Sequence, residues 1–267
     1  MNITTVLSNY IAFEEKTLSN RFFKHEHIIP LINQLPAQFT VTKLGNSVKG
    51  KSINAVKWGN GKTKVMLWSQ MHGDEATGTM ALFDLFNFLQ QDHETVKLIK
   101  ENCELLFIPM VNPDGAAMFT RRNAQQIDIN RDFIQTATPE GKILKQTRND
   151  FEPHFGFNLH DQTTLWSVDG TLKPATLSYL APAFDKALSV NEVREKAMLV
   201  IADMFKELDQ ILPKHIGLFD DEYEPRAFGD NFQKAGTSTI LIEAGGYLDD
   251  PEKQQIAVFR IDERLEA

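Results

Sequence analysis

Four short apolar runs, rich in β-branched and aromatic residues, stand out along the chain. They cover residues 65–68, 105–110, 155–159 and 239–242. Runs of about four to eight such residues are typical of strands that are buried on both faces of a sheet. We therefore predict four central strands.

Two longer segments place apolar residues at the spacing of an α-helix. The first covers residues 77–91, between the first two predicted strands, and the second covers residues 190–212. Strands that alternate with helices form a largely parallel sheet with helices on both faces. The pattern thus predicts the α/β class, with a mostly parallel, mixed β-sheet flanked by helices on both faces.

No repeat, low-complexity tract or linker divides the sequence, so we predict a single domain over residues 1–267. Residues 1–40 are expected to form a helical lead-in, and residues 251–267 the start of a helix that is cut short. Residues 218–229, LFDDEYEPRAFG, are polar, aromatic and Pro-containing. Such a segment is typical of a long functional loop or of a plain surface connection.

The composition is that of an ordinary folded domain, with 42% hydrophobic and 24% charged residues. The 28 Lys and Arg against 36 Asp and Glu give a net charge of −8, which argues against nucleic acid or an anionic membrane surface as a partner. The single cysteine, Cys103, cannot form an internal disulfide, which fits a reducing compartment. Since neither an export signal nor a membrane span is evident, we expect a cytoplasmic protein.

Short segments that contain polar residues follow each of the four predicted strands. They are residues 70–75, 111–115, 160–161 and 243–246. The carboxyl ends of parallel strands lie along one edge of a sheet, where open α/β sheets bind ligands. The sequence therefore predicts that these residues assemble one site.

His72 and Glu75 in an H-x-x-E turn, with the distant His160, offer two imidazoles and one carboxylate. Zinc favours such a set, with its fourth position open to water. Gly73 allows the backbone to bend, so that His72 and Glu75 can converge on one ion. The alternatives are a surface pair for the H-x-x-E residues and a structural role for His160.

Arg121 and Arg122 precede the segment DINRD, which contains Asn130 and Arg131. An arginine beside an asparagine amide suits a planar carboxylate, because the guanidinium binds it in a bidentate manner and the amide adds a donor. The alternative is a solvated basic turn.

Glu243 ends the almost wholly apolar segment STILIEAGG. A lone carboxylate there is costly unless it is paired, near a metal or catalytic. Near zinc, Glu243 could act first as a general base and then as a general acid. The alternative is a buried ion pair with an arginine.

Together these motifs, in this chain order, resemble the zinc carboxypeptidase family of metallopeptidases, also called funnelins, which have the carboxypeptidase A-like fold. The resemblance covers roughly residues 42–246 and begins with LGNSVKGKSI, similar to the family's G-x-S-x-x-G-R/K-x-I segment. HGDE, NPDG, DINRD, LHD and IEAGG follow in the family order. Five ordered matches are more specific than any single one.

By this resemblance, the expected cofactor is one zinc ion per chain, and His72, Glu75 and His160 match the family's zinc ligands. Asp128 matches a residue that orients the first metal histidine. Glu243 matches the general base.

Asn130 and Arg131 match the pair that holds the substrate's terminal carboxylate. Arg121 and Arg122 both lie near the place of the arginine that polarises the scissile carbonyl, and the spacing favours Arg121. Tyr223 lies about where digestive carboxypeptidases carry a mobile tyrosine, but its flanks do not match, so its role stays open.

Arg226, in the loop of residues 218–229, is a nearby cation that could meet a second, side-chain carboxylate of the substrate. Such a contact would favour acidic terminal residues. The alternative is that Arg226 pairs within its own loop, with Asp220, Asp221 or Glu224.

The resemblance implies a metallocarboxypeptidase that hydrolyses a C-terminal peptide or isopeptide bond by zinc-activated water. A second hypothesis is an N-acyl amino acid deacylase of the aspartoacylase or succinylglutamate desuccinylase type, acting on a small acyl-amino-acid substrate. The NPDG turn and the LGNSVKGKSI segment favour the peptidase. A third hypothesis is a metal-free carboxylate-binding module, against which the intact ligand set argues. The residue cleaved, its linkage and the oligomeric state are left open.

Overall fold

Eight strands form one mixed sheet in the part of the chain that the computed structural model describes, residues 10–254. The strands are β1 Thr40–Asn46, β2 Ser52–Gly59, β3 Thr63–Ser69, β4 Cys103–Ile108, β5 Phe155–Asp161, β6 Leu177–Leu180, β7 Ile216–Leu218 and β8 Ser238–Ala244. Their order across the sheet is β1-β2-β4-β3-β5-β8-β6-β7.

The centre of the sheet is parallel. Strands β4, β3, β5 and β8 lie side by side and run in one direction. They contain the four apolar runs, so the prediction of four central strands is confirmed. Strands β2 and β6 pair antiparallel with the two sides of this group, which makes the sheet mixed. The apolar pattern does not predict the outer strands, because β1 is mostly exposed and β7 has three residues.

Seven α-helices connect the strands within the described residues. They are α1 His25–Asn33, α2 Thr77–Phe88, α3 Glu94–Asn102, α4 Pro113–Met118, α5 Pro139–Phe151, α6 Glu192–Leu208 and α7 Phe228–Lys234. Helices α2 and α6 confirm the two predicted helices, with shorter ends. Helix α6 begins at Glu192 because the Asn191 side chain accepts a hydrogen bond from the backbone N of Arg194 and caps the helix.

Helices cover both faces of the sheet. Leu159 of β5 packs in a cluster with Phe83 and Phe86 of α2, and α6 packs on that face too, against the same strand. Side chains alternate along a strand, so His160 lies on the opposite face. On that face, residues of α5 and α7 pack in a cluster with Trp68 of β3. The predicted fold class is therefore confirmed.

The predicted end segments are partly covered. Residues 10–40 contain helix α1 and a short 3-10 helix, Tyr10–Ala12, joined by turns and irregular backbone. The predicted C-terminal helix falls mainly on residues 255–267, outside the described residues, and residues 251–254 form no helix. Residues 219–227 form a loop between β7 and α7, as predicted for this region. Within residues 10–254, no helix is both long and apolar enough to cross a bilayer.

Gly78, in the first turn of α2, marks a close approach of this helix to the sheet. A Cβ atom added at Gly78 would lie 2.6 Å from the Cβ of Leu159 and 3.2 Å from the Cβ of Ser69. In an exposed helix, Gly→Ala stabilises by about 1 kcal/mol. We expect the opposite sign here: Gly78→Ala lowers the free energy of unfolding by about 1–3 kcal/mol through overpacking. Urea unfolding measures this change, and a more stable variant would contradict the close approach.

Candidate metal centre and active site

Three buried side chains bring metal-ligating atoms together at the carboxyl ends of two strands. Nδ1 of His72 lies 2.7 Å from Oε1 of Glu75, just beyond β3. Nδ1 of His160, in β5, lies 2.7 Å from Oε2 of the same carboxylate. One ligand atom from each residue lies within 4.8 Å of the others. The structure thus brings the three predicted zinc ligands together.

The turn that carries His72 depends on two features of the backbone. Gln70 has a φ of 51°, in the left-handed region, and its Nε2 donates to the carbonyl of Gly73 at 3.0 Å. A Cβ atom added at Gly73 would lie 2.0 Å from the backbone carbonyl carbon of Gly115. Only glycine therefore fits at residue 73, where the turn that carries His72 meets the NPDG turn.

The charged groups of the cluster shift each other's pKa values. Burial disfavours the Glu75 carboxylate, but His72 and His160 outweigh it and hold the pKa of Glu75 well below its usual range. Burial lowers the pKa of His72, but Glu75 and Asp128 raise it by more than burial lowers it, to about 9. Burial keeps the pKa of His160 lowered. A metal cation and a proton compete for Nδ1 of His72, since a ligating imidazole must be neutral.

Asp128 fixes the other side of His72. Its Oδ1 lies 3.1 Å from Nε2 of His72 and accepts from the backbone N of Asn130 at 2.9 Å. Its Oδ2 accepts from Nε of Arg121 at 2.9 Å. Burial raises the pKa of Asp128, but His72 and Arg121 outweigh it and hold that pKa well below its usual range. When Nε2 of His72 donates to Asp128, the lone pair of Nδ1 is left toward Glu75, as a metal ligand requires.

Of the two candidate arginines, Arg121 lies at the cluster. Its Nη1 is 3.2 Å from Nδ1 of His72 and donates to Oε1 of Glu75 at 3.4 Å. Arg122 is exposed, and its Nη1 donates to the carbonyl of Gln126. The structure therefore brings Arg121 to the candidate site and leaves Arg122 outside it.

Glu243 lies beside His160, because the two residues are partners in the parallel pairing of β5 and β8. Paired residues of neighbouring strands point to the same face. Burial, together with the negative charges of Glu75 and Asp161, raises the pKa of Glu243 to about 8. Within residues 10–254, the arginine ion pairs are made with other acids, so the alternative of an arginine pair for Glu243 has no support.

Asn130 and Arg131 lie in a 3-10 turn, Ile129–Arg131, next to Asp128. Asn130 is buried, and its Oδ1 accepts from the backbone N of Phe228 at 2.9 Å. Arg131 donates from Nη1 to the carbonyl of Asn130 at 2.9 Å, and its Nε lies 3.0 Å from Oε2 of Glu224. The predicted carboxylate-binding pair is thus held by the first residue of α7 and by the loop before it.

Arg226 pairs within its own loop, which is the alternative stated from the sequence. Its Nε donates to Oε1 of Glu224 at 2.8 Å and its Nη2 to Oε2 at 2.7 Å. The hydrogen bond from Arg226 lowers the pKa of Glu224 to about 2. Tyr223, in the same loop, is half-buried and makes no side-chain hydrogen bond with the described residues, so its role stays open.

Asn112 of the NPDG turn positions both the turn that carries His72 and the loop that carries Arg121. The sequence analysis missed this role. Its Oδ1 accepts from the backbone N of Gly115 at 2.9 Å, as a helix cap. Its Nδ2 donates to the carbonyl of Met71 at 3.3 Å and, at 3.4 Å, to that of Arg121. The Asn-Pro pair is a recognisable start of a helix, but the contacts of its amide depend on the fold.

Two buried carboxylates that the sequence analysis also missed fasten the LGNSVKGKSI segment to the site loops. Oδ2 of Asp114 accepts from the backbone N of Lys49 at 2.9 Å. Glu140 accepts from the backbone N of Val48 and from Nδ2 of Asn123, both at 3.1 Å. In the sequence, Glu140 is an ordinary acidic residue in the first turn of a helix, so no local signal identifies its role.

Lys253 closes the carboxyl ends of β5 and β8. It is buried, and its Nζ donates to the carbonyl of Gln162 at 3.0 Å and to that of Ala244 at 2.6 Å. These carbonyls follow His160 and Glu243 by two residues and one residue. Lysine is usually exposed, so its sequence position gives no sign of this contact.

The donor set fits zinc. Two imidazole nitrogens and one carboxylate converge, and three protein ligands leave a fourth position open. Nε2 of His160 is buried without a partner within residues 10–254. A metal bound at Nδ1 needs a proton on that Nε2, since an imidazole that ligates through one nitrogen carries its hydrogen on the other.

Comparison with known proteins gives a consistent result. A sequence model of the zinc carboxypeptidases matches residues 26–173. The probable carboxypeptidase 2 of Arthroderma benhamiae is 29% identical over 102 residues, which are 38% of this chain and 19% of that protein. Carboxypeptidase SOL1 of Arabidopsis thaliana is 38% identical over 127 residues, covering 42% of this chain and 26% of the plant protein.

The fold is also similar to solved structures. A metallo-carboxypeptidase from Burkholderia cenocepacia superposes with a TM-score of 0.67 and 18% identity, over 83% of this chain and 59% of that one. The matches thus cover less than two thirds of the length of each of these three proteins.

The geometry predicts about one zinc ion per chain, bound by His72, Glu75 and His160. We expect His160→Ala to weaken zinc binding by more than the roughly 10- to 100-fold that is typical of losing a hydrogen-bond partner of a ligand. Elemental analysis and a competitive chelator titration measure this, with the exposed His27→Ala as the control. Full zinc stoichiometry and affinity in His160→Ala would contradict the assignment.

Proposed function

This chain belongs to the zinc carboxypeptidase family, and on that premise we propose that it is a zinc-dependent metallocarboxypeptidase that removes the C-terminal residue of a peptide. The observation that carries the proposal is the pairing of His160 with Glu243 across β5 and β8. This pairing puts a proton acceptor beside the candidate metal ligands.

The metal and the chain divide the chemistry. Zinc held by His72, Glu75 and His160 would lower the pKa of a bound water and polarise the scissile carbonyl. The chain's own residues then transfer the protons, stabilise the developing charge and hold the substrate.

Glu243 accepts a proton from the attacking water and passes it to the nitrogen of the leaving amino acid. It has to be ionised to do so. Its pKa of about 8 results from burial and from the negative charge of Glu75. A cation in the ligand cluster offsets the charge of Glu75, so it favours the ionised form of Glu243 at neutral pH.

Arg121 stabilises the oxygen of the scissile carbonyl as that oxygen gains negative charge. Asp128 holds the guanidinium through Nε, and Nη1 lies at His72. The hydrogen bond to Asp128 keeps the guanidinium next to the cluster before the reaction starts, and preorganised donors of this kind contribute strongly to catalysis.

Asn130 and Arg131 hold the free α-carboxylate of the substrate. Asp128 contacts both His72 and the backbone N of Asn130, so the carboxylate-binding pair adjoins the ligand cluster. A peptide held by its terminal carboxylate presents its last bond to the reacting groups.

An N-acyl amino acid offers the same α-carboxylate, so the substrate class is tested with a panel. The zinc-loaded protein is incubated with N-acetylated tripeptides, γ-glutamyl peptides and N-acyl amino acids, and the released amino acids are quantified. We expect hydrolysis of the tripeptides. Hydrolysis confined to N-acyl amino acids would replace the peptidase with a deacylase, and binding without any hydrolysis would indicate a binding module.

We expect Glu243→Gln to lower kcat by at least about a hundredfold, the usual contribution of a general acid–base group. The variant keeps the size of the side chain, so zinc content and the unfolding midpoint should stay unchanged. Steady-state kinetics with the best tripeptide of the panel measure kcat, and Glu195→Gln on the exposed surface of α6 is the control. Near-normal turnover in Glu243→Gln would refute its role.

Peptides with an amidated C-terminus should be poor substrates, because the amide removes the charge-assisted contact with Arg131. Losing one side of such a contact typically costs about 2–5 kcal/mol, which lowers kcat/KM by at least about thirtyfold. The test compares N-acetyl-Ala-Ala-Leu, N-acetyl-Ala-Ala-Glu and N-acetyl-Ala-Ala-Lys, each as acid and as amide. Arg131→Ala should remove the difference between acids and amides. Equal cleavage of acids and amides by the unaltered protein would rule out the carboxylate clamp formed by Asn130 and Arg131.

A further inference from the structure

The arginine assigned to the substrate's carboxylate is in contact with a carboxylate of the chain itself. Oε2 of Glu224 lies 3.0 Å from Nε of Arg131 and accepts from Nη2 of Arg226 at 2.7 Å. Oε1 of Glu224 accepts from Nε of Arg226 at 2.8 Å. One carboxylate therefore serves two guanidinium groups.

The planar geometry of Arg131 limits how a second carboxylate can bind. A guanidinium offers a bidentate fork on the edge of Nε and Nη2 and another on the edge of Nη1 and Nη2. Oε2 of Glu224 lies 3.0 Å from Nε, at the first edge, and the carbonyl of Asn130 accepts from Nη1 at 2.9 Å. A substrate carboxylate that binds in a bidentate manner at the edge of Nε and Nη2 must therefore displace the carboxylate of Glu224.

Glu224 is the partner that can move. The carbonyl of Asn130 belongs to the backbone of a 3-10 turn, which is fixed on both sides by hydrogen bonds from Asn130 to Asp128 and from Phe228 to Asn130. The Glu224 side chain is partly exposed and has a second cation, Arg226, on both of its oxygens. It therefore keeps a paired charge when it leaves Arg131.

We propose that Glu224 is an internal competitor for Arg131, which the substrate's α-carboxylate displaces and which thereby sets the affinity of the site; this rests on the proposed function of Arg131. The backbone N of Glu224 donates to Oδ1 of Asp230 at 2.9 Å, so the competing carboxylate is tethered next to Arg131. A tethered group competes at a high effective concentration. Substrate binds at the edge of Nε and Nη2 only in the fraction of molecules in which Glu224 has left that edge, and the apparent Kd rises accordingly.

The test uses Glu224→Gln, Arg226→Gln and the double variant, with Glu222→Gln as a matched control in the same loop. Glu224→Gln removes the competing charge, so the KM for free-acid tripeptides should fall at least about threefold at unchanged kcat. Arg226→Gln removes the other partner of Glu224, which then holds Arg131 more tightly, so the KM should rise. The double variant should behave like Glu224→Gln, because the competitor is absent. Glu222→Gln should match the unaltered protein.

Calorimetric binding of N-acetyl-Ala-Ala-Leu to the zinc-loaded Glu243→Gln protein, with and without Glu224→Gln, gives the affinity without turnover. The addition of Glu224→Gln should tighten binding of the acid and leave binding of the amide unchanged. A KM or Kd that rises in Glu224→Gln would mean that Glu224 orients Arg131, and an unchanged value would mean that it does not compete; either result overturns the proposal. Failure of the clamp itself appears separately, as equal handling of acid and amide by the unaltered protein.

Discussion

The site is arranged around one buried carboxylate. Glu75 is almost inaccessible to solvent, and its two oxygens face Nδ1 of His72 and Nδ1 of His160. A buried carboxylate is costly without compensation, and the parallel pairing of β3 with β5 supplies it by bringing the two histidines to the same edge. The next pairing, β5 with β8, adds Glu243. The buried carboxylate of Glu75, together with the imidazole nitrogens that face it, is the physical reason why the cluster suits a cation.

The amino-acid sequence predicts the four central strands of this arrangement well. The strands that carry the site are buried on both faces, so they appear as apolar runs, and the polar residues that follow each run are visible in the sequence. The outer strands and the lead-in are less evident, because an exposed strand such as β1 needs no apolar pattern. What the sequence does not show directly is which of two neighbouring side chains points into the site. For the neighbours Arg121 and Arg122, the spacing of the motifs favours Arg121. In the structure, the contact of Asn112 with the carbonyl of Arg121 and the pairing with Asp128 bring Arg121 to the cluster.

The sequence alone also does not indicate which side chains make contacts between segments that are distant along the chain. The sequence names three carboxylates in the loop that could pair with Arg226, and the fold selects Glu224. It does not indicate that Glu224 also reaches Arg131, which lies in the loop after α4. Likewise, Glu140 joins Val48 to Asn123, although each of the three looks like an ordinary residue of a helix or loop. Such side chains hold the loops in place, so that the strand ends present one fixed set of groups.

Asp128 relates the two halves of the proposed site. Its Oδ1 contacts His72 and the backbone N of Asn130, and its Oδ2 binds Arg121. One short side chain therefore sets the spacing between the ligand cluster, the cation beside it and the turn that carries Arg131. If the substrate's carboxylate is held at Arg131, this spacing determines which bond lies at the cluster. A rigid connection selects the last peptide bond and excludes internal bonds, whereas a flexible one would allow both. For the proposed exopeptidase, specificity would follow from the fixed spacing between these two groups, and in this chain Asp128 is the residue that contacts both of them.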